Sequence, residues 1–267
     1  NSTPTTILVS DGEHRAALAV VRSLGRAGYR VIVSSSKRRS LAGSSRYAAH
    51  TLRVPNALEA PDAFAQAIIY ATKRWQPNIV LPITDPALRA LLPVREALTG
   101  TIPFGSAEVV HRTADKPAVL RLAATLGVAV PHQIELSQFG DVDDLDLAGV
   151  SWPLVVKPAS SVADGPEGPI KFGVSWASDL GALRAVVHAL PAAAFPVLLQ
   201  ERIAGPGTGI FLLRWDGRVI AEFAHERVRE KPPSGGVSVC CVSVRPDREL
   251  VAQAKSLLAA LDWQGPA

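Results

Sequence analysis

Methionine is absent from the chain, cysteine occurs only twice, and aromatic residues make up 6%. The two cysteines are neighbours, Cys240 and Cys241. Adjacent cysteines meet disulfide geometry only with strain, and they supply neither a disulfide framework nor a metal-ligand spacing. A reducing cytoplasm is therefore the expected setting. No uninterrupted apolar run approaches the roughly 20 residues of a bilayer span. No basic stretch followed by an apolar core opens the chain, which argues against a secretory signal. Several short catalytic signatures are missing too: G-x-S-x-G, H-E-x-x-H, the phosphate loop G-x-x-x-x-G-K and any Cys–His pairing. The 6 histidines show no ligand spacing. The first strand–helix turn, Ser10-Asp11-Gly12-Glu13-His14-Arg15, lacks G-x-G-x-x-G, which disfavours a nicotinamide dehydrogenase. The missing initiator Met and the bare ending Gly265-Pro266-Ala267 lead us to expect a piece of a longer protein.

What remains is an ordinary globular composition, 48% hydrophobic and 19% charged over 267 residues. That length suits one large or two ordinary domains. Charge divides unevenly: residues 1–112 carry 14 Lys and Arg against 7 Asp and Glu, whereas residues 113–267 carry 14 against 17. The densest basic run is Lys37-Arg38-Arg39, followed by Arg46 and Arg53. A basic half can mark an anionic partner. No interleaved aromatic platform, zinc spacing or helix-turn-helix pattern accompanies it, so we expect a solvated loop and no nucleic-acid partner.

The first hundred residues alternate between apolar strands and amphipathic helices. Strands are expected at 7–10, 30–34, 78–82 and 102–105, helices at 13–27, 61–74 and 87–98, the last broken by Pro93, and a loop over 35–50. That pattern means a parallel sheet covered on both faces. After about residue 112 the pattern changes. A helix at 114–126 leads to strands at 132–136 and 153–158, a Ser/Gly/Pro-rich mobile loop at 159–170, a strand at 170–176 and a helix at 179–190. A strand at 197–201 and a hairpin of 210–215 with 218–225 around Asp216-Gly217 follow. A loop over 227–238 and a last helix at 246–261 complete the chain. The second half therefore reads as α+β, and the whole as α/β plus α+β.

Three features of the second half can carry chemistry. Lys157 ends a buried strand where it enters the mobile loop, and Lys116 starts a helix. Such lysines either place a compact charge on a phosphate or extend to solvent. Gln200-Glu201-Arg202-Ile203-Ala204-Gly205 is a strand passing into a glycine turn, whose exposed edge can read a base or simply end a strand. Arg227 and Arg229 share a strand face by period two, above Gly235-Gly236. They suit a phosphate or acyl phosphate, or else pair internally in a solvated loop.

The order of these motifs resembles the ATP-grasp superfamily, in particular its carbamoyl-phosphate synthetase large-subunit-like branch. Ala114-Asp115-Lys116 with Leu122-Ala123-Ala124-Thr125-Leu126-Gly127-Val128-Ala129-Val130-Pro131 is similar to that family's first grasp helix. Trp152-Pro153-Leu154-Val155-Val156-Lys157-Pro158-Ala159-Ser160-Ser161 resembles its nucleotide lysine and phosphate loop. Leu199-Gln200-Glu201-Arg202-Ile203-Ala204-Gly205 resembles its adenine hinge, and Gly235-Gly236-Val237-Ser238 its substrate loop.

The resemblance implies a Rossmann-like pre-ATP-grasp domain at 1–112 and an ATP-grasp domain at 113–267, with subdomains 113–192 and 193–267, the second incomplete. It implies that Lys116, Lys157, Ser160 and Ser161 serve the phosphates of ATP. Gln200, Glu201 and Ile203 would hold the adenine, and Gly235, Gly236 and Ser238 the substrate loop. Arg227 and Arg229 are our own assignment to the reacting group. The implied activity joins a small-molecule carboxylate to an amine or thiol through an acyl phosphate. The family's acidic ribose ligand has no counterpart in Pro206-Gly207-Thr208-Gly209. The family's Mg²⁺ ligands would lie beyond residue 267, so this segment is expected to be inactive alone. The alternative is a non-catalytic nucleotide-binding or assembly module. The oligomeric state is not legible.

Overall fold

A computed structural model describes residues 4–147, 149–165, 168–231 and 236–267. The chain divides into two compact units. The first holds the described residues up to Ala107 with 168–170, and the second holds 108–165 and 171–267.

In the first unit the elements are β1 (Thr6–Val9), α1 (Arg15–Arg26), β2 (Arg30–Ser35), β3 (Ala48–Arg53), α2 (Pro61–Trp75), β4 (Ile79–Leu81) and α3 (Asp85–Leu91). The strands form one parallel sheet in the order β3-β2-β1-β4. Ile7, Val9, Val31 and Val33 alternate onto one face and pack with Ala17 and Val21 of α1. Leu8, Ile32 and Val80 lie fully buried on the other. Such all-round burial is what a parallel sheet demands. Gly28 closes α1 at φ +89, where the Tyr29 amide reaches back to the Leu24 carbonyl. That closure needs a left-handed residue, and glycine takes it without cost.

The second unit contains α4 (Ala107–Ala114), α5 (Lys116–Thr125), β5 (Gln133–Leu136) and β6 (Leu154–Pro158). Asp115 caps α5 by accepting the Ala118 N–H at 3.1 Å. The chain next forms β7 (Val162–Gly165) and β8 (Gly168–Lys171), then β9 (Ser175–Ala177), α6 (Leu180–His188) and β10 (Val197–Glu201). An antiparallel sheet runs β5-β10-β6-β9, and its inner face packs Leu136, Leu154, Val156 and Leu199 against Leu183 and Val187 of α6. A second antiparallel sheet comprises β11 (Thr208–Trp215), β12 (Arg218–Lys231), β13 (Val237–Val244) and β14 (Gly265–Pro266), in the order β13-β12-β11-β14. Its hairpin turns at Asp216 and Gly217, with φ of 48° and 74°, the two positive values of a type I′ turn. Helix α7 (Arg248–Ala260), capped by Asp247, lies against β11.

Several expectations change. The segment 159–170 is not only loop, because it includes β7 and most of β8. The expected 170–176 strand divides into the end of β8 and β9. Most described residues of 227–238 are strand, since β12 runs to Lys231 and β13 starts at Val237. Alternating charges there reflect a sheet exposed on both sides, not a solvated loop. Strand β3 begins inside the region expected to be loop, at 48–50, and runs past it to Arg53, and 102–105 forms no strand, although Thr101 bridges to Ile79. The helix expected over 87–98 does break where expected: α3 gives way to a 3-10 turn at Leu92–Ala97, because Pro93 cannot donate to an α-helical ladder. Among the described residues, no helix is long and apolar enough to cross a membrane.

Candidate functional site

The second unit contains a cleft of about 1010 Å³ between its two antiparallel sheets. One wall comes from β6, β9 and β10. Lys157 and Val155 of β6 line it, because they are two residues apart on one strand face. Trp176 of β9 stands opposite Val155 in register. Gln200 and Glu201 end β10, and Arg202 and Ile203 follow in the turn. The Lys157 ammonium donates to Gln200 Oε1 at 2.8 Å, and Gln200 Nε2 donates to Gln133 Oε1 at 3.0 Å. Gln200 is buried and Lys157 half-buried. No carboxylate pairs with Lys157 among the described residues. Burial pushes its ammonium below the ordinary lysine value of 10.5. The wall thus presents a partly desolvated cation beside the apolar surface of Val155, Trp176 and Ile203. Arg202 lies with its guanidinium 5.9 Å from the Trp176 ring centre.

The other wall comes from β12 and β13, through Arg227, Glu230, Lys231, Gly236 and Val237. Arg227 pairs with Glu230 at 3.0 Å and donates to the Gly236 carbonyl at 3.3 Å. The Gly236 N–H donates to Glu230 Oε2 at 3.1 Å. The Arg227 guanidinium and this amide hold the Glu230 carboxyl below the usual carboxylate range. The Arg227 backbone N–H reaches the Gly207 carbonyl at 2.7 Å. A Cβ at Gly207 would lie 2.7 Å from Arg227 Cδ, so this crossing is made close by the missing side chain.

The sequence-picked residues divide by position. Lys157, Gln200, Glu201, Ile203, Arg227 and Gly236 line the cleft. Lys116 does not; its ammonium donates to the carbonyls of Pro158 and Ala159, both at 3.0 Å, and to Ser161 Oγ at 3.2 Å. It therefore pins the end of β6 just past Lys157. Ser160 follows on the same stretch and, with Ser161, stays outside the lining. Arg229 is exposed and outside it too, and Ser238, partly buried, is likewise outside. The β12–β13 ladder shifts register on both sides of Arg229, so period two does not carry from Arg227 to Arg229. Gly235 lies outside the described residues. One oxygen of Glu201 is already taken by the Ser151 N–H at 3.1 Å. Sequence reasoning missed Val155, Trp176, Arg202 and Glu230. A signal existed for the first, two residues before Lys157 on the same strand. For Trp176 only its place on a strand hinted at a wall.

No family model matches the chain, and no curated protein sequence matches it. Solved structures do. An L-amino acid ligase from Bacillus licheniformis superposes with a TM-score of 0.70 at 17% identity, over 100% of this chain and 62% of that one. The biotin carboxylase–β,γ-ATP complex from Campylobacter jejuni gives 0.71 at 16% identity, over 99% and 61%. The N5-carboxyaminoimidazole synthetase from Staphylococcus aureus, complexed with ADP, gives 0.64 at 12% identity, over 100% and 66%.

The chain shares the fold of these ATP-grasp enzymes. It spans about three fifths of the length of the ligase and carboxylase chains. Two of these three structures, the biotin carboxylase and the N5-carboxyaminoimidazole synthetase, are complexes with a nucleotide. A nucleotide can be compared with the cleft on its own lining. Its residues fit one. An apolar slot suits a base, the Gln200–Ile203 edge offers backbone and side-chain polar groups, and Lys157 offers a phosphate partner. A divalent metal fits less well. The cleft's carboxylates, Glu201 and Glu230, are both engaged by backbone amides, and no group of three or more His, Cys, Asp or Glu among the described residues is arranged to hold a metal ion.

Proposed function

We propose that the chain binds ATP in the cleft of its second unit and is part of a ligase joining a small-molecule carboxylate to an amine or thiol. The observation that carries this reading is Lys157: a partly desolvated ammonium with no acidic partner among the described residues, held by Gln200 at the end of an apolar slot. A group so placed costs stability unless a ligand compensates it. In this reading the adenine lies between Val155 and Ile203 and meets Gln200 and Glu201. Lys157 takes the phosphates, while Lys116 supports them by fixing the strand end that carries Ser160 and Ser161. The carboxylate receives the terminal phosphoryl group, giving an acyl phosphate and ADP, and the amine or thiol then displaces phosphate. Arg227 neutralises the reacting group, with Gly236 beside it on the substrate side. Catalysis is then mainly charge neutralisation and positioning. No step is assigned to Mg²⁺ on these residues. The free thiols Cys240 and Cys241 suit work in a reducing cytoplasm.

Calorimetric titration with ATP tests the reading. Binding that Lys157→Ala and Ile203→Asp both weaken supports it. Binding indifferent to both substitutions, in a folded protein, rejects the cleft.

A further inference from the structure

The basic run after β2 is not absorbed by this function. We propose that the first unit carries its own anion site, suited to a small phosphate-bearing ligand, where the loop after β2 meets the end of β3. The inference stands independently of the ATP reading.

Strands β2 and β3 are parallel, with Ser35 opposite Arg53, so both leave the sheet at the same carboxyl edge. Ligands of open α/β sheets bind outside that edge. Two recesses lie there, of about 350 and 540 Å³, and they share Lys37 and Arg53. Arg38 and Arg39 line the smaller one together with the hydroxyl-bearing Ser40, Ser44 and Thr51. Its size falls within the roughly 300–1,000 Å³ range of small-ligand sites.

The four cations have no carboxylate within 4.0 Å among the described residues. The nearby acid, Glu13, is committed elsewhere: it accepts the hydroxyls of Ser35 at 2.7 Å and Ser36 at 2.5 Å. Glu59 lines only the larger recess.

Lys37, Arg38 and Arg39 are exposed, as a solvated loop implies, but the loop that carries them is held in place. Ser40 is 8% exposed and Ala42 fully buried. The Ala42 N–H donates to the Gly12 carbonyl at 2.7 Å, the Gly43 N–H to Ser40 Oγ at 3.1 Å, and the Lys37 N–H to Ser35 Oγ at 3.1 Å. Cations that form no ion pair among the described residues, carried on a loop held by these hydrogen bonds and beside the hydroxyls of Ser40 and Thr51, suit the charge of a phosphate. Among the described residues neither recess is lined by an aromatic ring that could stack the bases of a single-stranded nucleic acid.

The test is amide NMR titration with inorganic pyrophosphate at constant ionic strength, in a Lys157→Ala background that weakens capture by the other cleft. We expect saturable shifts in residues 36–44 and 51–55. Arg38→Glu with Arg53→Glu should weaken them at least about tenfold. The milder Arg38→Gln with Arg53→Gln, which retains the fold if the charge reversal does not, should give a smaller loss at the same residues. Three outcomes overturn the proposal: no shifts there, equal shifts from chloride at the same ionic strength, or a single-stranded oligonucleotide binding more tightly than pyrophosphate.

Discussion

The two units treat positive charge in opposite ways. In the second unit each cation singled out by the sequence around the cleft, apart from Arg229, is engaged: Lys116 by carbonyls, Lys157 by Gln200, and Arg227 by Glu230. In the first unit Lys37 and Arg53 line both recesses and Arg38 and Arg39 the smaller one, and among the described residues none of the four forms an ion pair. Engaged cations are positioned before a ligand arrives and exchange protein acceptors for ligand oxygens. Unpaired ones stay hydrated and gain more net charge compensation, but with less geometric definition. The first arrangement favours selectivity, and the second favours attraction.

The sharpest way to break this comparison is Lys157→Ala. It should lower ATP affinity by about 10- to 100-fold, the worth of one charge-assisted hydrogen bond, in a calorimetric titration. Pyrophosphate shifts in the first unit should persist in the same variant.

Next comes pH. A Lys157 with a depressed pKa is charged at low pH and loses its proton as pH rises through that lowered value, before an ordinary lysine at 10.5 does. ATP affinity measured against pH should therefore fall early on the alkaline side. Lys157→Arg should hold its residual affinity flat over the same range, because arginine keeps its charge.

Glu13→Gln probes the first unit. Burial alone raises the Glu13 carboxyl, but the hydroxyls of Ser36 and Ser35 and backbone N–H groups more than offset it, so the carboxyl titrates below 4.5. Its stabilisation is complete above that ordinary value and is lost as pH falls through the lowered one. The substitution should cost about 1 kcal/mol near neutral pH in urea unfolding, and it should flatten the acid limb of the stability profile.

The smallest effect is expected from Arg202→Ala. It removes only the contact over Trp176, worth about 0.5–1 kcal/mol, and should weaken ATP two- to fivefold.

The parts legible in the sequence are those where one local force dominates. Apolar β-branched runs gave away β1, β2, β6 and β10, and Asp216-Gly217 identified its hairpin. Strand β3, Ala48–Arg53, was hidden because an edge strand of mixed polarity carries no clean period. The β12–β13 extension was hidden for a related reason: charges on an exposed sheet look like charges in a loop. Motif order brought Lys157, Gln200, Glu201 and Ile203 to one cleft, since each sits on a strand or at its end. It could not tell Arg227 from Arg229, because that difference depends on a bulge in the ladder with β13. Nor could it separate Lys157 from Lys116, whose ammonium is turned to the backbone of the strand end.

The same ladder supplies something practical. Cys241 is exposed and lies directly opposite Arg227, which lines the cleft. Only its neighbour Cys240 competes for a thiol-directed dye. With Cys240→Ser, a single fluorophore could be placed on the strand paired with the cleft wall, so that nucleotide entry becomes an optical signal from an otherwise unaltered chain.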